Sequence, residues 1–132
     1  MRGPAFAFLF TLSALPAAAQ DNALQSTILN QIEAFKADDF ARAFTYASPS
    51  IKSIFMSPEN FGMMVKNGYP MVHRPGEVRM LEQRTISGAL WQKVMITDQA
   101  GRTHILDYQM IETPEGWQIN GVQLLPEPGV GA

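Results

Sequence analysis

The chain has no cysteine in its 132 residues, which excludes disulfide staples, thiolate metal sites and cysteine nucleophiles together. Packing alone must hold such a domain. Basic charge is sparse as well. There are 10 Lys and Arg against 12 Asp and Glu, a net charge of -2, and no basic run exceeds a single Lys or Arg. Nucleic-acid binding needs clustered positive charge to displace phosphate counterions, so no nucleic-acid partner is expected. A polybasic membrane-surface segment is missing too. The longest apolar run, Ala5 to Leu15, falls short of the roughly 20 residues that span a bilayer as a helix. Catalytic signatures are also lacking: the sequence contains no Gly-x-Ser-x-Gly, no Gly-rich phosphate loop and no Cys-x-x-Cys. The only histidines, His73 and His104, stand in no His-x-His, His-x-x-x-His or His-x-x-Glu spacing. Neither a metal nor a cofactor is expected.

What is present begins with an export signal. Arg2 and the amino terminus make a positive end, Ala5–Leu15 an uncharged apolar run, and Pro16 followed by Ala17-Ala18-Ala19 a small-residue cleavage site. That order is the order of a secretory signal peptide. Residues 1–19 are therefore read as a signal peptide, with the mature chain starting near Gln20 or Asp21. No cysteine follows the site, so a lipid-anchored form is excluded. Localisation is expected to be periplasmic, or secreted, with no membrane association after cleavage. Residues 20–126 are read as one domain and residues 127–132, Glu-Pro-Gly-Val-Gly-Ala, as a disordered tail.

The mature sequence divides near residue 70 into a helical half and a strand half. Asn22 and Gln25 make a capping-box-like helix start, and Leu24, Ile28, Ile32 and Phe35 follow at helical spacing. Asp38-Asp39 caps a second short helix with an apolar side of Phe40, Ala43, Phe44 and Ala47. Ser48-Pro49 and Ser57-Pro58-Glu59 each place a capping hydroxyl before a proline suited to the first helical position. The first serves Ile51, Ile54 and Phe55, and the second Phe61, Met64 and Val65. Asn67-Gly68 offers a left-handed residue to close the last helix. Four short helices fit this half.

From Val78 the pattern is a β-meander of strands Val78–Ile86, Ala89–Thr97, Thr103–Glu112 and Trp117–Leu125. Turns fall at Ser87-Gly88, Gln99-Ala100-Gly101 and Pro114-Glu115-Gly116. The predicted fold class is α+β, with N-terminal short helices packed on one face of a curved four-stranded antiparallel meander. These turns set a register with Arg84 opposite Trp91, Glu82 opposite Lys93, and Lys93 opposite Asp107. That row is either a polar site tuned around Lys93 or a cross-strand ion ladder, and the ladder is favoured. Met63, Met64, Met71, Met80, Met95 and Met110 are read as core first and as lining of an adaptable cavity second.

The segments Ala47-Ser48-Pro49-x-Ile51-x-x-x-Phe55, Phe61-x-x-Met64-Val65, Gly68-Tyr69-Pro70-x-Val72-x-Arg74-Pro75 and Trp117-x-Ile119-x-Gly121 resemble a bacterial family, domain of unknown function 4864. The resemblance spans about residues 22–125. It implies membership of the nuclear-transport-factor-2-like (cystatin-like) group, whose helices close a curved sheet into a cone with a pocket. Enzymes of that group carry an Asp, His or Tyr cluster inside the cone, and no such cluster can be assigned here.

Three functional readings follow. The first is a non-catalytic module with a mostly apolar pocket that binds a small hydrophobic ligand or a protein partner, with Tyr46, Phe61, Tyr69, His73, Trp91 and Tyr108 near the pocket mouth. The second is an isomerase- or dehydratase-like acid–base enzyme, with Asp107 or His73 as base and Tyr69 or Tyr108 as hydrogen-bond donor. The third is a scaffold that homodimerises through the sheet's outer face.

Overall fold

A computed structural model of the chain describes residues 17–126, with side chains from Asn22 onward. The expected leader, apart from Ala17–Ala19, and the expected tail lie outside the described residues.

Helix α1 runs from Ala17 to Lys36, so it starts upstream of the expected cap at Asn22. The alanines ahead of Asn22 are the best helix formers, and nothing there breaks the turn. Leu24, Ile28, Ile32 and Phe35 all fall on its buried stripe, each at most 1% exposed. Helix α2 (Phe40–Thr45) is capped by the Asp39 side chain, which accepts from the Arg42 amide. It stops before Ala47, which pairs instead with the sheet. Ser48 caps α3 (Pro49–Phe55) and Ser57 caps α4 (Pro58–Gly68), each hydroxyl accepting an amide of the first turn.

Closure of α4 differs from the expectation. Gly68 stays helical and the helix ends at Tyr69, φ -136° and ψ 57°. The cause is Pro70, whose ring disfavours helical geometry at the residue before it. Pro70 then opens a fifth helix, the single turn α5 (Pro70–His73), one more than the four short helices expected. The left-handed closure occurs earlier, at Met56 after α3 (φ 73°).

The strands β1 (Pro75–Ile86), β2 (Ala89–Asp98), β3 (Thr103–Thr113) and β4 (Gly116–Leu125) form one antiparallel sheet in the order β1-β2-β3-β4. The fold is α+β. Ser87 (φ 51°) and Gly88 (φ 82°) have the paired positive φ of a tight hairpin turn. The register pairs Arg84 with Trp91 and Lys93 with Asp107. Irregularities interrupt β1 at Pro75/Glu77 and Met80/Gln83 and the β3–β4 ladder at Gln109/Met110; such bulges bend a sheet and increase its twist.

The inner face of the sheet carries Gln92, Val94, Ile96, Leu106, Tyr108, Met110 and Ile119, all buried beneath the helices. Gln92, fully buried, belongs to the bulge. Its Nε2 donates to the carbonyls of Leu81 (3.0 Å) and Lys93 (2.9 Å), and its Oε1 accepts from Gln25 (3.3 Å) and Gln83 (3.1 Å). A buried carbonyl stripped of its ladder partner needs such a donor. The helical half is tied to the edge strand β4 by two backbone bonds, Ile119 N–H to the Tyr46 carbonyl and Ser48 N–H to the Ile119 carbonyl, both 2.8 Å. Among the described residues, no helix is long and apolar enough to cross a membrane.

Candidate functional site

Beside the tie between Tyr46–Ser48 and β4, a cavity of about 280 Å³ opens between the helices and the sheet. α3 contributes Ile51, Ile54 and Phe55, and α4 Phe61, Met64 and Val65. Gln31 and Phe35 come from α1, and Tyr69 and Val72 lie around α5. The sheet supplies Tyr108, Ile119, Gly121 and Val122. The wall is almost wholly apolar because these positions are the inward stripes of short amphipathic helices too brief to cover the sheet completely.

Phe61 organises the helical wall. Its ring centroid lies 5.6 Å from that of Phe35, 5.4 Å from that of Phe44 and 5.6 Å, edge-on, from that of Phe55. Such tilted aromatic pairs contribute beyond their buried area. Gly62, next in sequence, lets α4 settle on Phe40, since a Cβ there would sit 2.6 Å from that ring.

The polar atoms of the wall are few. The Tyr69 hydroxyl donates to the Val122 carbonyl at 3.2 Å, and Gln31 Nε2 donates to the Ala43 carbonyl at 3.1 Å. Tyr108 is 1% exposed, and among the described residues its hydroxyl has no hydrogen-bond partner. Burial, with a smaller contribution from neighbouring Tyr69, pushes the Tyr108 phenol well above its ordinary value of 10. It is therefore a neutral O–H donor at any physiological pH.

Of the residues singled out from sequence, Phe61, Tyr69 and Tyr108 line this cavity together. Tyr46, His73 and Trp91 are placed elsewhere. Tyr46 borders a second, more polar cleft of about 660 Å³ with Lys52, Glu112, Trp117 and Gln118. The Gln118 Oε1 is, among the described residues, the one buried side-chain polar atom without a partner.

His73 faces the end of α1, where its Nε2 meets Asp38 Oδ1 at 2.7 Å. Arg74 completes that cluster. It donates to both Asp38 oxygens (3.3 and 3.1 Å) and to the carbonyls of Phe35 and Lys36 (3.4 and 3.3 Å). Trp91 lies on the opposite face of the sheet, where strand parity sets it beside Lys93 and away from Gln92 and Val94. Sequence reasoning missed Gln31, Ile119 and Val122, which reach the cavity only through tertiary packing. The helical periodicity of Ile51, Ile54 and Phe55 already pointed to the α3 wall.

The row of charges forms in part as expected: Lys93 keeps Glu82, and Asp107 takes Arg84. Lys93 reaches Glu82 at 3.3 Å across the bulge. Asp107, though opposite Lys93, is held by Arg84 through two parallel bonds of 2.8 Å. Arg84 keeps its place opposite Trp91, between the hairpin turn and the bulge, and reaches Asp107 diagonally; its planar fork matches a carboxylate better than an ammonium does. Asp107 is thereby buried on the face remote from the cavity, and neither candidate base, Asp107 nor His73, lines the cavity. His104 pairs with Asp98 at 2.8 Å in the β2–β3 turn region. Among the described residues, no group of three or more His, Asp or Glu converges as metal ligands would. Of the methionines, Met64 lines the cavity, Met71 and Met110 are core, and Met63 is 57% exposed.

A family model, described as Domain of unknown function (DUF4864), matches residues 17–132 of the chain. No curated protein and no solved structure matches it.

Proposed function

The chain belongs to the family described as a domain of unknown function, DUF4864, and we propose that it acts there as an exported, non-catalytic module binding a small hydrophobic ligand. The single observation that carries this reading is the cavity of about 280 Å³ between α3, α4 and β4, walled by apolar side chains with Tyr69, Tyr108 and Gln31 as its polar points. Concave, mostly apolar sites with a few convergent polar groups are the usual form of small-molecule pockets. Acid–base catalysis would want a carboxylate or imidazole within reach of the substrate. Asp107 is committed to Arg84 and His73 to Asp38, both outside the cavity. We also propose membership of the nuclear-transport-factor-2-like (cystatin-like) group, a reading that the helix-covered, bulged meander supports. Fold alone settles no activity in that group.

Titrating the purified chain with an uncharged solvatochromic dye tests the binding role. One saturable site is expected. Val65→Phe, which pushes a larger side chain into the cavity wall, should weaken it at least tenfold while the circular-dichroism spectrum stays native. The absence of saturable binding to the unaltered chain would remove the proposal. Export is checked separately: the chain recovered from outside the cytoplasm should begin near Gln20 or Asp21, and recovery starting at Met1 would refute it.

A further inference from the structure

The polar atoms of the cavity specify what kind of small molecule it takes. Tyr108 presents an O–H donor that no described residue uses. Gln31 has its Nε2 committed to Ala43, while its Oε1 accepts no hydrogen bond among the described residues. The Tyr69 hydroxyl spends its proton on Val122 and keeps its lone pairs. The lining therefore offers one free donor and free acceptors, and it contains no Lys, Arg, His, Asp or Glu.

Each class of ligand meets this wall differently. An ionised group would be desolvated there without a counter-charge, which is strongly disfavoured. A pure hydrocarbon would leave the Tyr108 proton and the Gln31 oxygen covered and unpaired, and buried polar groups left unpaired are what make a site reject an analogue lacking the matching group. A group that accepts from Tyr108 and donates to Gln31 or Tyr69 satisfies both requirements. A hydroxyl does so, and so does a primary carboxamide.

Size and direction follow from the same wall. At about 30 Å³ per water-sized unit, 280 Å³ holds roughly nine non-hydrogen atoms. Tyr108 is 1% exposed, whereas Ile54, also in the lining, is 67% exposed. Tyr108 thus marks the floor and Ile54 the rim. Leu124, 48% exposed, lies two positions beyond the lining residue Val122 on the same face of β4 and continues the apolar surface outward.

We infer that the pocket selects an uncharged aliphatic molecule, with about nine non-hydrogen atoms within the cavity, whose one polar group is a hydroxyl or primary carboxamide held at Tyr108 and Gln31, with the chain leaving past Ile54. The inference rests on the binding role proposed above. It accounts for a donor in the cavity lining that no described residue uses, for the lack of any cation to meet a carboxylate, and for the exposed isoleucine at the opening.

Displacement of the uncharged dye from the full chain at pH 7 tests it with octan-1-ol, octanamide, 1-chlorooctane and octanoate as competitors. Octan-1-ol and octanamide should compete about tenfold better than 1-chlorooctane, which is what two neutral hydrogen bonds provide, and octanoate should be weakest. Tyr108→Phe, checked for a native spectrum, should bring octan-1-ol close to 1-chlorooctane, weakening the alcohol and, by removing the unpaired proton, tightening 1-chlorooctane slightly. Dye binding with 1-chlorooctane equal to octan-1-ol, or with octanoate the best competitor, would overturn the ligand class and leave the binding role standing. A dye that does not bind at all would overturn both. The competitor series uses the unaltered chain, so misfolding of a variant cannot obscure the result.

Discussion

At the scale of single residues, polar side chains hold the site's frame in jobs that a capping pattern only half reveals. Ser48 and Ser57 occupy the same motif, yet their environments differ. The Ser57 hydroxyl accepts from the Asn60 amide at an exposed position. The Ser48 hydroxyl, fully buried, accepts from the Ile51 amide at 3.2 Å and also donates to Asn120 Oδ1 at 2.7 Å. Asn120 in turn donates to Gln109 at 2.9 Å, beside the β3–β4 irregularity. Removing an N-cap costs about 1 kcal/mol, and stranding a buried partner adds roughly 1–3 kcal/mol. Ser48→Ala should therefore lower the unfolding free energy in urea by about 2–4 kcal/mol and Ser57→Ala by about 1 kcal/mol. Equal losses would show that the Asn120 bond is not formed in solution. The serines were legible as caps because capping is local. The second bond of Ser48 was not legible, because it joins positions 72 residues apart. Trp91 is the opposite case: the parity that sets Lys93 on the outer face sets Trp91 there too, and that signal was already in the sequence.

At the scale of elements, helix α4 shows how a boundary and a packing face are decided by different residues. The amphipathic stripe Phe61, Val65 was readable from periodicity, and so was the Pro58 start. Its end falls at Tyr69 and not at the expected Asn67-Gly68, because a glycine permits a left-handed closure without requiring one, whereas Pro70 imposes a limit on the residue before it. Within the helix, Gly62 has a packing role. An added Cβ would meet the Phe40 ring at 2.6–2.8 Å, and Phe40 also lies against His73 and beneath Lys66. Alanine is otherwise the better helix former by about 1 kcal/mol. Overpacking costs typically 1–3 kcal/mol, so the clash outweighs the propensity. Gly62→Ala should thus destabilise by about 1–2 kcal/mol, whereas Gly68→Ala, with nothing within 4 Å of the added atom, should stabilise slightly. A thermal melt of both variants decides it, and stabilisation of both would place α4 farther from α2 than the structure has it.

At the scale of the whole molecule, the layer arrangement was legible because turn chemistry and strand alternation agree over the entire second half. The location of the cavity was not, since it depends on how far Tyr46–Ser48 pins the helices to β4. What ties the last helical turn to the end of α1 is a charge cluster that neither half announces alone. Asp38 sits at positive φ (56°), a conformation that aspartate tolerates better than most residues. From there its carboxylate faces His73 and Arg74. Hydrogen bonds from His73 first, and from Arg74 second, hold Asp38 below the ordinary value of 3.8. At the β2–β3 turn, the hydrogen bond with His104 first, and the Arg102 amide after it, do the same for Asp98. A carboxylate with a folded-state value below its unfolded one binds protons more weakly when folded. Its contribution to stability is complete above the unfolded value near 3.8 and is lost as pH falls through the lower folded value. Asp38 is exposed and Asp98 partly so, so salt screens the effect, more strongly at Asp38. The unaltered chain should accordingly lose urea resistance as pH drops below about 4. The Asp38→Asn, Asp98→Asn double variant should start less stable at pH 6 and fall less steeply over the same range, the two curves converging in acid. Parallel curves would mean that these two carboxylates do not carry the acid limb, and that the joint between α1 and α5 owes nothing to the charge on Asp38.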